Sequence, residues 1–376
     1  MKVQTKALAR NVSSLVAMIT ALFGMTLLMA TFGARAQSWD DVVKAAEAEG
    51  KLTIAGPPIQ PYRLSIMEFQ KAFPKIQLEY TGIADADFEA KLKTERSAGL
   101  YLWDLRVAGV STTVFTEQIP AGWFDPIRPL FMRPDVLDDS KWLGGFEAGF
   151  LDNAKKYAYA FQAGLGGNVY IDRAQLPESK VKTFKDFLDP SLKGKIAMID
   201  PRARGGTSAL TLIMVVAGEQ AACDLLGKQE PVLTRTPRQL VEWAMTGRYP
   251  ITTGMSPSEW MEWKSKGFGK QVQLINLPPH QRNWTPGWGA MLLINKAPHP
   301  NAAKVFANWM LTREAQADWA KRGFVNSRRM DVAPGLKETV VDVETFRKGL
   351  TFNSEASAQL GIKAAEIAQR CVKAGA

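Results

Sequence analysis

The chain has 376 residues, 47 lysines and arginines against 37 aspartates and glutamates, and only two cysteines. The basic excess is spread along the chain without a Lys/Arg run, so the composition gives no sign of a nucleic-acid-binding surface. Two cysteines are too few for a disulfide scaffold or a cysteine-rich metal site, and the sequence leaves open whether Cys223 and Cys371 pair. The length suits two domains or lobes of ordinary size.

Residues 1–36 have the features of a secretory signal peptide. Three basic residues open the segment, an apolar stretch follows over 12–32, and Ala34 and Ala36 form a small-x-small cleavage pattern. We predict cleavage near Ala36 and a periplasmic location for the remaining 340 residues, whose net charge is +6 rather than +10. An uncleaved membrane anchor is the alternative, because the apolar stretch is long enough to span a bilayer.

The first part of the mature chain alternates short strands with amphipathic helices. Strands are predicted over 51–55, 76–80 and 105–107, and the helices that join them over 64–73 and 87–98. This βαβαβ order is typical of a parallel sheet with helical crossovers. A further helix is predicted over 111–118, at the end of the third strand.

The middle of the chain contains a strand, a glycine-rich turn and a helix start in succession. The strand covers 195–200, the turn 200–206, and the apolar helix 209–217, with Thr207 or Ser208 as its N-cap. Such a turn brings backbone N–H groups and the positive end of a helix dipole to one point, and Arg202 adds fixed charge. The pattern predicts a binding place for a small anion, although an ordinary strand-to-helix connection fits the same residues.

The later elements continue the α/β pattern. Strands are predicted over 249–253, 272–277 and 290–294, and helices over 239–245, 258–266, 301–310 and 312–321, with a helical tail from 356. No internal repeat or low-complexity linker separates two halves, so the lobes are expected to be joined by strands.

Several segments, in their order along the chain, resemble the bacterial extracellular solute-binding proteins of ABC importers. The similar branch contains ferric-iron-, polyamine- and aminoalkylphosphonate-type binding proteins. The resemblance rests on residues 186–197 (DFLDPSLKGKIA), 200–206 (DPRARGG), 247–251 (GRYPI) and 299–306 (HPNAAKVF). It covers most of the mature chain, and its weight lies in the order and spacing of these motifs.

The resemblance implies a two-lobed α/β fold of the type II periplasmic-binding-protein kind. Each lobe would hold a central, mainly parallel sheet flanked by helices, with two crossovers between the lobes near 161–166 and 285–290. The implied division is a signal peptide over 1–36, a first lobe over 37–164, a second lobe over 165–284, and completion of the first lobe, with the C-terminal helices, over 285–376.

Ligands of open α/β sheets bind in crevices at the carboxyl ends of strands, and closure of two lobes traps them. For the aromatic candidates at these strand ends, packing in the core or at the rim is the alternative to ligand contact. The residues expected to line the cleft are Tyr62, Ser111, Gln162, Arg202, Gly205, Gly206, Thr207, Ser208, Gly254, Met255 and Trp288.

These patterns together predict a periplasmic receptor for a small anionic solute such as a carboxylate or phosphonate. We expect a monomer that delivers its solute to an inner-membrane ABC permease and that carries no cofactor and no bound nucleic acid. Ferric iron is the alternative ligand. Iron-binding members of the branch use two adjacent tyrosines, whereas the seven tyrosines here include no adjacent pair and both histidines lie beside prolines.

A secreted hydrolase or lyase is the alternative of another class. Ser111 and Ser208 lie at predicted helix starts, as nucleophiles can, but neither belongs to a G-x-S-x-G elbow. The sequence also contains no H-E-x-x-H motif and no P-loop. We therefore expect a binding protein rather than an enzyme.

Overall fold

The computed structural model describes residues 37–203, 206–277 and 283–373. The predicted signal peptide and Gly205 lie outside these ranges. From Val43 onward, the described residues belong to one compact unit. Within the described ranges, every helix is too short or too polar to cross a bilayer.

Short helices and strands alternate along the described chain. The α-helices are α1 (Trp39–Glu49), α2 (Gln60–Ala72), α3 (Asp85–Ser97), α4 (Pro134–Leu137), α5 (Thr207–Ala217), α6 (Glu219–Gly227), α7 (Pro237–Met245), α8 (Pro257–Ser265), α9 (Pro300–Met310), α10 (Arg313–Gly323), α11 (Val343–Lys348) and α12 (Ala358–Cys371). The strands are β1 (Lys51–Gly56), β2 (Gln77–Gly82), β3 (Leu105–Ala108), β4 (Phe124–Asp125), β5 (Ala158–Ala160), β6 (Val169–Asp172), β7 (Ile196–Ile199), β8 (Val232–Thr234), β9 (Ile251–Thr253), β10 (Val272–Ile275), β11 (Asn283–Trp284), β12 (Ala290–Ile294) and β13 (Leu350–Thr351).

The first sheet combines the N-terminal βαβαβ unit with one strand from late in the chain. Its order is β2-β1-β3-β12-β4, and β5 also pairs with β12. The β1 strand is parallel to β2 and β3, as the sequence predicts, whereas β12 runs antiparallel to β3, β4 and β5. The segment predicted as a helix over 111–118 forms a short π-helical turn at Val114–Gln118.

The second sheet lies wholly in the middle of the chain. Its order is β10-β6-β9-β7-β8. The β7 strand is parallel to β8 and β9, and β6 is antiparallel to β9 and β10. The structure therefore holds two mixed sheets with helices against them, one on each side of the chain crossings.

The chain passes between the sheets twice, after β5 and again before β12. The two crossing segments are bonded to each other, because Gly164 donates its N–H to the carbonyl of Thr285 at 3.0 Å and Thr285 donates back at 2.9 Å. Gly287, in the second crossing segment, has φ of +52° and lies over the side chain of Gln162. A side chain at that position would meet the Gln162 amide nitrogen at 2.4 Å.

The C-terminal helix α12 packs against α5 and α6, which cover the second sheet. Its buried Ile367 and Ala368 belong to the same core cluster as Leu212 and Leu225. A disulfide joins Cys223 of α6 to Cys371 at the end of α12, which settles the pairing that the sequence leaves open. The sequence-based division placed 285–376 with the first lobe. Because α12 packs on the other sheet, we propose that the second lobe includes it.

Candidate functional site

The chain diverges at the carboxyl ends of two neighbouring strands of the second sheet. From β7 the chain continues through α5 and α6 to β8, and from β9 it continues through α8 to β10 at the far edge. The two helices pack on opposite faces, since α5 shares a core cluster with Ile196 and Met198, whereas Trp260 of α8 clusters with Ala197 and Tyr170. Such divergence opens a crevice at the sheet edge, which is where open α/β sheets bind ligands.

The turns that follow β7 and β9 lie side by side at this crevice. The strands are in parallel register up to Met198 and Thr253. Gly254, which has φ of +91°, continues the contact, because a side chain there would lie 3.2 Å from the side chain of Ile199. The starts of α5 and α8 therefore flank one short stretch of sheet edge from its two faces.

The first sheet has a similar divergence between β1 and β3. From β1 the chain leads through α2 to β2 on one side, and from β3 it leads to β4 on the other side. Predicted Ser111 lies in the turn after β3, where its hydroxyl shares a 2.8 Å hydrogen bond with that of Thr113. The backbone of Gly109 lies against Gly287 and the ring of Trp288, which brings this turn to the second crossing segment.

A buried carboxylate with two arginines occupies the turn after β7. Asp200 is 3% exposed. It accepts hydrogen bonds from the backbone and Nε of Arg202, both at 2.9 Å, from Arg202 Nη2 at 3.1 Å, and from Arg235 Nε at 3.2 Å. Burial alone would raise the pKa of Asp200, but the hydrogen bonds from Arg202 and Arg235 hold it below its usual value. The cluster thus carries two positive charges and one negative charge.

The helix start beside this cluster differs in detail from the prediction. The prediction of Thr207 or Ser208 as N-cap is wrong, because the N-cap is Gly206 and no side chain caps α5. Glycine is required there, since a side chain would lie 2.2 Å from the carbonyl oxygen of Asp200. Thr207 and Ser208 are half-buried in the first turn, and the Ser208 hydroxyl donates to Asn353 Oδ1 at 3.4 Å.

Two predicted ligand residues, Tyr62 and Gln162, are linked to each other through Trp319. The Tyr62 ring is stacked on that of Trp319 with centroids 4.4 Å apart, and Trp319 Nε1 donates to Gln162 Oε1 at 2.9 Å. The Tyr62 hydroxyl lies 2.6 Å from that of Ser258 at the start of α8. Because Ser258 donates its own proton to the carbonyl of Gly323, Tyr62 is the donor in this contact. Tyr62 therefore joins the two sheets rather than lining an open surface.

The remaining predicted residues are placed differently from one another. Gly254 is exposed at the crevice, and Trp288 is half-buried beside Gly109. The Met255 side chain belongs to the core cluster of Tyr170 and Trp260, and its carbonyl accepts a hydrogen bond from the Tyr170 hydroxyl at 3.3 Å. The roles of these residues in ligand binding stay predictions.

Sequence reasoning missed Glu259, which lies in the first turn of α8. Its side chain is half-buried, next to Ser258 and its contact with Tyr62. Burial, reinforced by the charge of Glu262, raises the pKa of Glu259 to about 7. A glutamate in a first helical turn is normally a solvated charge that favours the helix dipole, so the sequence pattern gave no reason to single it out.

The described residues contain no group of three or more histidine, cysteine, aspartate or glutamate side chains placed to hold a metal ion. Ferric iron is commonly bound by phenolate oxygens, which require deprotonated tyrosines. Burial raises the pKa of Tyr62, Tyr80 and Tyr170 well above the usual value, which disfavours the phenolate form at all three positions.

The fold is similar to that of several solved structures. Among solved structures, iron-bound HitA from Pseudomonas aeruginosa matches with a TM-score of 0.67 at 15% identity, over 85% of this chain and 99% of that one. AfuA from Actinobacillus pleuropneumoniae, with exogenous fructose-6-phosphate bound, matches with a TM-score of 0.64 at 15% identity, over 85% and 97%. The substrate-binding protein of an ABC transporter from Agrobacterium tumefaciens matches with a TM-score of 0.65 at 16% identity, over 85% and 92%.

These similarities define the class of the molecule as a two-lobed type II periplasmic-binding-protein fold, which confirms the predicted fold class. No curated protein gives a significant match. The family model for the bacterial extracellular solute-binding proteins matches residues 136–325, which is more than half of the chain. The protein therefore belongs to the bacterial extracellular solute-binding proteins, and the predicted resemblance is confirmed.

Proposed function

We propose that the protein is a periplasmic receptor of an ABC importer. It captures a small anionic solute, such as a carboxylate or phosphonate, between its lobes and delivers it as a monomer to an inner-membrane permease. The observation that supports the anion is the cluster at the end of β7, where Arg202 and Arg235 both donate hydrogen bonds to Asp200 beside a helix start with no side-chain cap.

Arg235 favours an anion over a cation, because its guanidinium gives Asp200 only one hydrogen bond, from Nε at 3.2 Å. Arg202 already directs two guanidinium nitrogens to Asp200, whereas the side chain of Arg235 is 72% exposed. Arg235 is therefore the better placed of the two to reach a ligand. One charge-assisted hydrogen bond contributes about 1.5–3 kcal/mol, so a few such bonds with lobe closure give a site of about micromolar affinity.

Two of the solved structures with this fold hold different ligands, iron in HitA and fructose-6-phosphate in AfuA. We favour the anion for this chain because the hydroxyls of Tyr62, Tyr80 and Tyr170 are already bonded within the protein, to Ser258, Pro57 and Met255. Ferric iron is the second candidate, on the strength of the iron-bound structure that matches the fold.

Catalysis receives no support from the two candidate nucleophiles. The described contacts of Ser111 and Ser208 lead to Thr113 and Asn353, and neither serine has a histidine among them. We propose that the protein binds its solute without changing it. Turnover of a bound solute that Ser111→Ala or Ser208→Ala abolishes would contradict this.

A thermal-shift screen tests the anion proposal. Protein beginning at Gln37 is mixed with acetate, succinate, phosphate, ethylphosphonate and ferric citrate, and hits are measured by calorimetry. Arg235→Ala should weaken binding of the anion at least tenfold, as expected for loss of one charged hydrogen bond. Arg238→Ala, which removes the same charge at an exposed position of α7, is the matched control and should leave binding unchanged. Stabilisation by ferric citrate and by no simple anion would overturn the proposal.

A further inference from the structure

The edge of the second sheet that lies opposite the crevice is basic. The strands β7, β8, β9 and β10 begin at this edge and β6 ends there, since β6 alone is antiparallel to its neighbours. A cation lies within four residues of every one of these five strand ends. The five cations are Lys195 at β7, Lys228 at β8, Arg248 at β9, Lys270 at β10 and Arg173 at β6.

Hydrogen bonds join the chain connections at this edge into one continuous surface. Residues that follow β6 donate to the carbonyl of Gln271 before β10, at 3.0 Å, and to that of Gly247 before β9, at 2.7 Å. The N–H of Gly194 before β7 donates to the carbonyl of Gln229 before β8 at 2.8 Å. Five strand ends span about 19 Å, or roughly two Debye lengths at physiological ionic strength. The cations can therefore act together on one extended anionic surface.

The acidic residues of these connections offset only part of the positive charge. The connections cover residues 172–195, 228–231, 246–251 and 266–271. They hold ten lysines and arginines against five aspartates and glutamates, so they account for +5 of the +6 net charge of the mature chain. Asp172 is buried, and Asp186 and Asp189 accept hydrogen bonds from backbone N–H groups of their own turns. A basic excess that is scattered along the sequence is thus gathered at one edge of the fold.

An aromatic ring projects from the same edge. Phe268 is 52% exposed and lies between two glycines whose φ angles of +91° and +57° form a tight turn. Its ring packs edge-on against that of Trp263, with centroids 5.4 Å apart, and the exposed Lys266 and Lys270 flank the turn. An aromatic ring among lysines suits a bilayer interface, where the ring enters the headgroup layer and the ammonium groups meet lipid phosphates.

We propose that this edge of the second lobe binds the surface of a lipid bilayer that contains anionic phospholipid. Phe268 inserts among the headgroups, and the lysines and arginines at the five strand ends contact the phosphates. The crevice lies at the other end of the same strands and stays accessible to solute. The inference goes beyond the proposed function and holds for any solute that the crevice binds.

Co-sedimentation with vesicles tests the proposal on the wild-type protein. Protein beginning at Gln37 is mixed with vesicles of phosphatidylcholine alone, and with vesicles that contain an equal part of phosphatidylglycerol. Binding should be at least tenfold stronger to the anionic vesicles, because each lysine or arginine near such a surface adds attraction. It should fall several-fold when the ionic strength is raised from a low to a physiological value, because salt screens exposed charges.

Charge-removing variants locate the binding face. One triple variant removes three exposed lysines of the edge, by Lys180→Gln, Lys185→Gln and Lys270→Gln. The matched control removes three exposed lysines from α1, α3 and α10, by Lys44→Gln, Lys93→Gln and Lys321→Gln. The edge variant should bind the anionic vesicles at least tenfold more weakly than wild type, whereas the control, with the same net charge, should bind like wild type.

The aromatic ring is tested in the same assay. Phe268→Ala should weaken binding to the anionic vesicles at least threefold, whereas Leu102→Ala, which removes a side chain of similar exposure before β3, should have no effect. Absence of binding to anionic vesicles at low ionic strength would overturn the proposal. Binding that the edge variant retains in full would overturn the choice of face. Binding of wild type to heparin or duplex DNA, and not to vesicles, would assign the face to another polyanion and would also overturn the proposal.

Discussion

The disulfide between Cys223 and Cys371 allows a prediction whose magnitude can be worked out from chain topology. The two cysteines are 148 residues apart, so the bond closes a large loop that runs from α6 to the end of α12. In the chain-entropy model, such a loop stabilises the folded protein by about 5 kcal/mol, and measured effects of native disulfides run from about 2 to 5 kcal/mol. Replacing both cysteines by alanine should therefore lower the free energy of unfolding by about 2–5 kcal/mol.

The assay is thermal and urea unfolding followed by tryptophan fluorescence. The melting temperature should fall by roughly 4–10 °C, since about 2 °C per kcal/mol is typical of chains of this size. Reduced wild-type protein should melt with the double variant, and a reducing agent should leave the double variant unchanged. Packing of Ile367 and Ala368 should keep α12 folded in both. Equal melting temperatures for oxidised wild type and the double variant would refute the argument that this crosslink constrains the unfolded chain.

Three further predictions concern the residues of the crevice. Arg202→Ala should cost about 1–2 kcal/mol of stability at neutral pH, because it leaves the buried Asp200 with fewer partners. The pKa of Asp200 is depressed, so urea unfolding at several pH values should show the full loss above about pH 4 and a smaller loss as the pH falls further, through the depressed pKa. Tyr62→Phe should cost about 0.5–1.5 kcal/mol and should be non-additive with Ser258→Ala in a double-mutant cycle, whereas full additivity would show that the two hydroxyls do not interact. Glu259→Gln should raise the melting temperature of the ligand-free protein above pH 7, by the equivalent of about 1–3 kcal/mol, and should have no effect near pH 4. The reason is that the pKa of Glu259 is raised on folding, so the charged carboxylate destabilises the folded protein increasingly as the pH rises from about 4 to about 7.

Local pattern predicted the parts of the fold that depend on local sequence. The strands over 51–55, 76–80 and 105–107 correspond to β1–β3, and their parallel pairing follows from the helices between them. The α6 helix and the β8 strand were not predicted, because α6 is held by packing and a disulfide to α12, far away in sequence. The antiparallel strand β4 escaped prediction for a similar reason, since it pairs with β12, more than 120 residues later.

The site shows the same division between local and non-local information. The turn after β7 and its positive charge were visible in the sequence, because strand, glycines and helix start are contiguous. The contact between Arg202 and Asp200 is also local. The sequence did not show that Asp200 is buried and that it also binds Arg235, 35 residues later. The direction of the side chain was not predictable at Tyr62 or Met255, and both side chains are buried in the interior.

The attachment of α12 has a practical consequence for single-molecule and surface experiments. The chain end is tied covalently to α6 on the second sheet, and Gly361 of α12 lies so close to Thr112, after β3, that a side chain at Gly361 would meet the Thr112 hydroxyl at 2.5 Å. A tether or fluorophore attached after Cys371 is therefore held to the second sheet, ten residues along α12 from the contact between Gly361 and Thr112. Immobilisation through that end should hold one half fixed, and a dye there should report the separation from a partner dye near β3.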